Sequence, residues 1–438
     1  MDYSLETLYQ HFTASTGVST DSRSISEGQI FFALSGPNFD GNAYTRNALD
    51  KGAMLAVVSD PDFHDERAML VSDVLVVLQD LARYHRDQLT MPVVGLTGSN
   101  GKTSTKELIR DVLASAHSVY ATRGNLNNHI GVPLSVLEIP VDVDFAVIEM
   151  GANHQGEIAL LSSICKPSHG LITNIGKAHL EGFGGIEGVK KGKSEIYHFL
   201  ADNGGVAFVN RSENFLDDLS SHVASRVKYG LFDADEKNRP SDLDYNFSLL
   251  SSNPDIKIRI EGEDALVASP LFGAYNGQNV ATAVAIGLYF DIPIDSIRSA
   301  LSAYAGGDNR SQVMEMDGKK LILDAYNANP TSMVNAIRHF ALSESESRAV
   351  IIGGMNELGG TSDLEHKRLV DLLAELEFDE TYVVGSHFEG ISLPEHFIHL
   401  KDTKTAIDYF TSNPVNSVSV FIKGSRSNAL ETLVDHLH

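Results

Sequence analysis

Met91-Pro92-Val93-Val94-Gly95-Leu96-Thr97-Gly98-Ser99-Asn100-Gly101-Lys102-Thr103-Ser104-Thr105-Lys106 decides how the rest of the chain is read. Its start reads as a buried strand, its glycines as a turn, and its end as a helix with Leu108, Ile109, Val112 and Leu113 on the apolar face. In such a turn, backbone N–H groups can point inward around an anion, and the helix N-terminus adds its positive dipole end. Lys102 can then neutralise phosphate oxygens, and the Thr103 hydroxyl can ligate an accompanying magnesium ion. The strict P-loop pattern asks for a glycine where Leu96 stands, and Gly95 is one place off. The stretch is a P-loop variant. A nucleoside triphosphate site fits it better than a glycine turn that merely caps a helix.

The 438 residues are 42% hydrophobic, a size that suits roughly two to four domains with ordinary cores. Lys and Arg number 34 against 58 Asp and Glu, a net charge of −24, which argues against nucleic acid or an anionic membrane as a partner. An anionic substrate must find a local basic pocket inside this repelling field. Cys165 is the single cysteine, so no intramolecular disulfide forms, as suits a reducing cytosol. Met1-Asp2-Tyr3-Ser4 has neither the basic nor the apolar region of a signal peptide. No apolar run approaches the ~20 residues that span a bilayer. A soluble, cytoplasmic protein is expected.

Working outward from the turn, residues 1 to 85 carry short strands and helices of their own. Gln29-Ile30-Phe31-Phe32-Ala33-Leu34 is strand-like, and a helix through Ala48 and Leu49 ends near Gly52, before a strand at 54–58. Arg86-Asp87-Gln88-Leu89-Thr90 reads as a polar joint. From 92 to 306, strands and helices alternate as a parallel sheet requires: strands at 145–150 and 171–175, and helices at 154–165 and 186–200. Between 243 and 269 the period shifts to two, the mark of an antiparallel insertion or edge. Ala305-Gly306-Gly307-Asp308-Asn309 is a second joint. Beyond it, a hairpin turns at Asp317-Gly318, and strands at 349–352, 381–384 and 418–422 alternate with helices. The expected architecture is α/β, with a small doubly wound domain last.

Polar groups recur where strands end, and open α/β sheets bind ligands there. Glu149 closes one strand; beside a P-loop it suits a magnesium ligand, and alone it suits a solvated strand end. His179 lies in the loop after the strand 171–175. On the helix 186–200, Ile186, Val189, Ile196, Tyr197 and Leu200 share a face with Lys193 near its middle; Lys190 is marginal and Lys191 points away. A lysine centred on an apolar face must pair, lose its charge or snorkel to the surface. Asn125-Leu126-Asn127-Asn128-His129 either lines a cleft or builds a turn. Arg310 sits at the second joint, where an arginine can swing onto a phosphate. Lys423-Gly424-Ser425-Arg426 follows a strand and can hold a carboxylate.

Together these segments resemble the Mur ligase family, the ATP-dependent amino-acid ligases of peptidoglycan precursor synthesis, over nearly the whole chain. Thr97-Gly98-Ser99-Asn100-Gly101-Lys102-Thr103 resembles the family's P-loop. Ser19-Thr20-Asp21-Ser22-Arg23 with Phe39-Asp40-Gly41 resembles the UDP-sugar-binding domain of its later-acting members. Asp324-Ala325-Tyr326-Asn327-Ala328-Asn329-Pro330-Thr331-Ser332-Met333 is the most specific signal, and resembles the branch that adds D-alanyl-D-alanine to UDP-N-acetylmuramoyl-tripeptide. The Asp-Asn-Pro-Arg signature of the branch adding the third residue is absent. Folylpolyglutamate synthases share the core but typically lack the UDP-binding domain.

The resemblance implies three domains: a UDP-precursor domain over 1–88, a central ATPase domain over 89–306 and a Rossmann-like C-terminal domain over 307–438. It implies ATP and magnesium, with two ions, and an acyl-phosphate route to the amide. By motif, Thr97, Gly98, Ser99, Asn100, Gly101, Lys102, Thr103 and Ser104 would cradle ATP, with Asn279, Arg310, Asp324 and Asn327 around it. Thr103 and Glu149 would serve one magnesium, and His179 and a carbamylated Lys193 the second. Lys102, Lys193, His179 and Arg310 would be catalytic. Asp21, Ser22, Arg23, Asp40, Gly41, Asn125 and Asn128 would hold the UDP precursor, and Asn329, Lys423 and Ser425 the dipeptide. No nucleic acid or membrane partner is implied, and a monomer is expected. Two departures stand out: Gly354 occupies a position usually aspartate, and the glycine usual after Arg426 is missing. The competing readings are a sister ligase for a different amino acid, a degenerate nucleotide-binding scaffold and a small-molecule phosphotransferase.

Overall fold

A computed structural model describes residues 4–63, 65–177, 179–253, 255–263, 265–304, 306–307 and 309–437. Met1, Asp2 and Tyr3 of the N-terminal reading, Ala178 of the His179 loop, and Ala305 and Asp308 of the second joint lie outside the described residues. Three principal sheets follow one another along the chain, and a two-stranded ribbon of Ser35–Gly36 and Phe39–Asp40 lies within the segment of the first.

The first sheet has four parallel strands in the order Val18–Ser19, Ile30–Phe32, Leu55–Val58, Ala68–Leu70. The second has nine, in the order Ala265–Ser269, Ile256–Ile260, Tyr245–Ser251, Ser225–Asp233, Val206–Asn210, His169–Ile172, Val93–Thr97, Phe145–Glu149, Val119–Ala121. All its pairings are parallel except those of 245–251 with 256–260 and of 256–260 with 265–269. The period-two segment is therefore the antiparallel edge expected of it. The third sheet runs Gln312–Met316, Lys319–Asp324, Ser419–Lys423, Arg348–Gly353, Glu380–Val384, Phe397–Leu400, and only its hairpin pair is antiparallel.

The strand Val93–Thr97 is buried on both faces, which is why it reads as an unbroken apolar run. Val93 joins one hydrophobic cluster, with Ile148, Ile172, Val189, Ile196 and Tyr197. Val94 and Leu96 join the other, with Leu108, Ile109, Val112 and Leu113 of the helix Lys102–Ala114 and Val280 and Val284 of the helix Ala274–Tyr289. The helix Ile186–Asp202 buries Val189, Lys193, Ile196, Tyr197 and Leu200 as its spacing requires, but Ile186 in its first turn is 40% exposed. The helix expected from His154 starts at Glu157, because the Glu157 carboxylate accepts the Asn153 and His154 N–H groups and so stabilises the preceding turn.

The joint expected at 86–90 is different. The helix Val74–Gln88 runs through most of it, capped by Asp73, whose carboxylate accepts the Leu75 and Val76 N–H groups. Arg86 is buried and donates to the carbonyls of Cys165 at 2.8 Å, Leu89 at 2.7 Å and Lys166 at 3.1 Å. Leu8, Ile30, Leu78 and Leu81 share one hydrophobic cluster with Val93, Ile148 and Ile164. The polar sequence here includes a buried cation.

Arg86→Ala leaves three carbonyls short of a charged donor and should lower stability by about 2–4 kcal/mol, read as a shifted denaturant midpoint; a change under about 0.5 kcal/mol would remove Arg86 from this role. Cys165 is fully buried and its thiol is pushed up to about 12 by that burial. A disulfide reagent at pH 8 should therefore titrate the thiol only after denaturant is added; prompt reaction of the native chain would contradict its burial.

Candidate active site

The P-loop is shaped by its neighbours. Gly98 has φ 152°, and a Cβ there would overlap the Thr173 hydroxyl; Gly101 has φ 76°, and a Cβ there would lie 2.6 Å from Asn279 Oδ1. The Asn100 carbonyl accepts from Thr173 Oγ1 at 2.6 Å and Asn174 Nδ2 at 3.0 Å, while Asn100 N donates to Asn174 Oδ1 at 3.0 Å. Ser99 Oγ accepts from Gly176 N at 2.9 Å. Asn279 braces the P-loop helix: its Oδ1 accepts from Thr105 Oγ1 at 3.0 Å and its Nδ2 donates to Asn276 Oδ1. Lys102 Nζ donates to the Gly98 carbonyl at 2.8 Å, across the loop mouth. Burial pushes the Lys102 amine below the ordinary lysine range; Glu149 opposes the shift and Arg310 adds to it.

Glu149 ends its strand 1% exposed. Its Oε1 accepts from Asn127 Nδ2 at 2.7 Å, while its Oε2 is buried and has no hydrogen-bond partner among the described residues. The Thr97 hydroxyl is likewise buried and unpartnered, and Thr103 is buried in the first turn of the helix. A carboxylate oxygen with nothing to accept from is costly unless a cation or donor arrives. Among the described residues no group of three or more His, Cys, Asp and Glu could hold a metal by itself. Magnesium needs no such group, since one carboxylate with a hydroxyl, phosphate oxygens and water is its usual shell. The donors present fit that ion.

Lys193 is 2% exposed, donates to the Ala152 carbonyl at 3.2 Å and lies 5.3 Å from the Phe183 ring centre. Burial drives its amine well below the ordinary lysine range; Lys102 adds to the shift, and Glu157, Glu195 and Glu149 oppose it. His179 pairs through Nδ1 with Glu357 Oε2 at 2.6 Å, across to the C-terminal third. Its pKa is lowered by burial, against the pull of Glu357 and with the push of Lys102 and Lys193. Neither side chain lines the main cavity.

That cavity, about 380 Å³, is bounded by the P-loop, Glu149, Asn125 and Asn127 on one side and by Arg310, Asp324, Tyr326, Asn327 and Lys423 on the other. The Arg310 guanidinium stacks 3.4 Å from the Tyr326 ring centre, and Arg426 lies 4.8 Å from the same ring. Lys423, expected at the dipeptide, is buried in a salt bridge to Asp324 at 2.7 Å and donates to the Asn327 carbonyl. Ser425 is buried and accepts from Asn356 N at 3.0 Å. Asn329 caps the helix Pro330–Ala341 and donates to Asn100 Oδ1 at 2.6 Å, so it joins the C-terminal third to the P-loop. A smaller crevice of about 100 Å³ holds His179, Asn329, Asn356 and Glu357.

Of the residues expected at the UDP precursor, Asp21, Ser22, Arg23, Asp40, Gly41 and Asn128 do not line the main cavity. Asp21 and Arg23 form a two-pronged pair, with Nε–Oδ1 at 2.9 Å and Nη2–Oδ2 at 2.8 Å, and Ser22 is buried beside them. Asp40 Oδ1 accepts from Ser35 and Asn42, and Gly41 N donates to Ser35 Oγ. Asn128 takes the turn-building alternative: its Oδ1 accepts from Ile130 N and Gly131 N at the start of the helix Gly131–Leu137. Asn125 lines the cavity. Asn127, which orients Glu149, stands between those two in the same polar cluster, and its neighbours were the only signal for it. Asn174 is legible only as a strand-end position, and Tyr326 only as part of the stretch from Asp324 to Met333.

Comparison with known proteins gives three family matches in chain order. These are the catalytic domain of the Mur ligase family over residues 15–86, the Mur ligase middle domain over 96–287 and the glutamate ligase domain of Mur ligases over 309–426. A UDP-N-acetylmuramoyl-tripeptide–D-alanyl-D-alanine ligase of Bacillus subtilis is 33% identical, with 96% of this chain and 93% of that protein covered. The crystal structure of MurF from Acinetobacter baumannii superposes with a TM-score of 0.84 at 31% identity, covering 99% and 98% of the two chains. The MurF ligase of Thermotoga maritima, solved in complex with ADP, gives 0.84 at 25% identity, with 97% of each chain covered. The braced P-loop, the buried Glu149 carboxylate beside it and this full-length likeness lead to one conclusion: the chain belongs to the Mur ligase family.

Proposed function

We propose that the chain joins D-alanyl-D-alanine to UDP-N-acetylmuramoyl-tripeptide at the expense of ATP, in the cytoplasm and as a monomer. One observation carries the reading. The P-loop and the unsatisfied Glu149 oxygen face Arg310, Asp324 and Lys423 across a single cavity, so a triphosphate bound there meets cations from both sides. The full-length likeness to ligases of that name supports the choice of substrates. A division of the chain at 88/89 and 306/307 is supported by the three separate sheets, each with its own segment of chain.

A carboxylate is a poor electrophile, and phosphorylation gives it a leaving group. An oxygen of the precursor's terminal carboxylate attacks the γ-phosphorus, and the bond to ADP breaks. The dipeptide amine then attacks the acyl carbon, loses its proton, and the tetrahedral intermediate expels phosphate. Lys102 and Arg310 neutralise the phosphate oxygens, with Thr97, Gly98, Ser99, Asn100, Gly101 and Ser104 forming the cradle. Arg310 would leave Tyr326 to do so. Thr103 and Glu149 would hold one magnesium ion, which supplies further neutralisation of the transferred group. Asn279, on the cavity wall, would meet the adenine while bracing the P-loop helix through Thr105. Asp324, kept in place by Lys423, and Asn327 form the far wall of the nucleotide site.

Lys193 and His179 serve the neighbouring position. A buried, uncharged amine is nucleophilic toward carbon dioxide: the N–C bond forms, a proton leaves, and a carbamate anion replaces the cation. That anion with His179 would hold a second magnesium ion. Asp21, Ser22, Arg23, Asp40 and Gly41 would bind the UDP end of the precursor and Asn125 its peptide end. The crevice at Asn329 and His179 would admit the dipeptide.

The test is phosphate release from ATP and magnesium with UDP-N-acetylmuramoyl-tripeptide, with and without D-alanyl-D-alanine. Release that requires the dipeptide, with a pentapeptide product by mass, is expected. Release with a single amino acid and none with the dipeptide would move the chain to a sister ligase. Lys193→Ala should lower turnover by at least about 100-fold and abolish the carbamate carbon signal seen by NMR with labelled bicarbonate. Turnover near the parent value would eliminate the carbamate.

A further inference from the structure

Four parallel strands lie side by side beneath the cavity: Phe145–Glu149, Val93–Thr97, His169–Ile172 and Val206–Asn210. Their carboxyl ends deliver Glu149, the P-loop, Thr173 with Asn174, and finally Glu213, and all of these groups line the cavity. At ~4.8 Å per strand, the first and last strands are ~14 Å apart, about the length of a nucleotide. Phosphates seated on the P-loop with their terminal group toward Glu149 direct the nucleoside the other way, toward Glu213.

The Glu213 carboxylate is half-buried there and has neither a hydrogen-bond nor an ion-pair partner among the described residues. Burial alone raises its pKa, with no opposing donor or cation. Its neighbours on the wall are already engaged: the Gln278 amide accepts from Asn210 and donates to the Leu231 carbonyl, and Tyr275 shares a hydrogen bond with Ser311. An acceptor-only group would repel phosphate and suits an uncharged donor.

We propose that Glu213 determines nucleoside recognition, accepting a hydrogen bond from a ribose hydroxyl or from the exocyclic amine of the base. The inference rests on the nucleotide site proposed above. Within that site it sets Glu213 apart from residues that merely fill a wall, because an unpaired carboxylate weakens the ligand-free fold unless a ligand donor repays the cost.

The experiment is equilibrium titration of the full-length chain with magnesium and a non-hydrolysable ATP analogue, beside its 2′-deoxy, 3′-deoxy and 6-deamino forms. Glu213→Ala should weaken binding of the parent analogue about 10-fold without lowering the thermal midpoint of the ligand-free protein, and Glu213→Gln, which keeps an acceptor, should recover part of the loss. The loss should vanish for the one form that lacks the donor, which identifies ribose or base as its source. Equal affinity of Glu213→Ala and the parent chain, or an equal loss for all four nucleotides, overturns this assignment alone. Failure of the parent chain to bind any of them overturns the nucleotide site and this inference with it.

Discussion

The Asn100 peptide is the constraint on which the site depends. Its carbonyl is held by Thr173 and Asn174, its N–H by Asn174 and its side chain by Asn329. A glycine turn has few conformational restraints of its own, so the shape that points N–H groups at an anion has to be imposed from outside. The end of one parallel strand and one helix cap impose it. The loop is thereby formed before any phosphate reaches it, and little ordering cost remains for binding.

The charge distribution follows from the same arrangement. A chain of net charge −24 gathers Lys102, Lys106, Lys193, Arg310 and Lys423 in and behind one region, all but Lys102 and Arg310 almost fully buried. Burial makes each cation expensive, and the surrounding carboxylates only partly offset it. The lowered pKa values of Lys102, Lys106 and Lys193 share that cause. Such a site gains from an anionic guest in proportion to what it gives up without one.

Much of this was legible in the sequence, for reasons that differ by residue. The P-loop strand, its helix and the position of Lys193 followed from periodicity, because burial on a helix or strand leaves a regular trace. The antiparallel edge at 245–269 followed from the same rule. The burial of Arg86 is not legible, because an arginine bonded to carbonyls looks, as letters, like any other polar residue of a joint. Lys423 and Asn329 were legible as polar groups after strands, but their partners Asp324 and Asn100 lie 99 and 229 residues away in sequence. Asn127 and Asn128 are neighbours of one chemistry with opposite jobs, and only the direction of the backbone separates them.

The buried Arg86 also bears on how the chain is made. Its acceptors at Cys165 and Lys166 are synthesised some eighty residues after it, and Ile172, Phe183, Val189 and Ile196 of the hydrophobic cluster around it come later still. The first sheet can therefore form as it leaves the ribosome, but the last helix of that region keeps an open apolar face and an unspent cation until the central strands arrive. Vectorial synthesis usually lets an N-terminal unit finish alone. Here the first unit waits for the second.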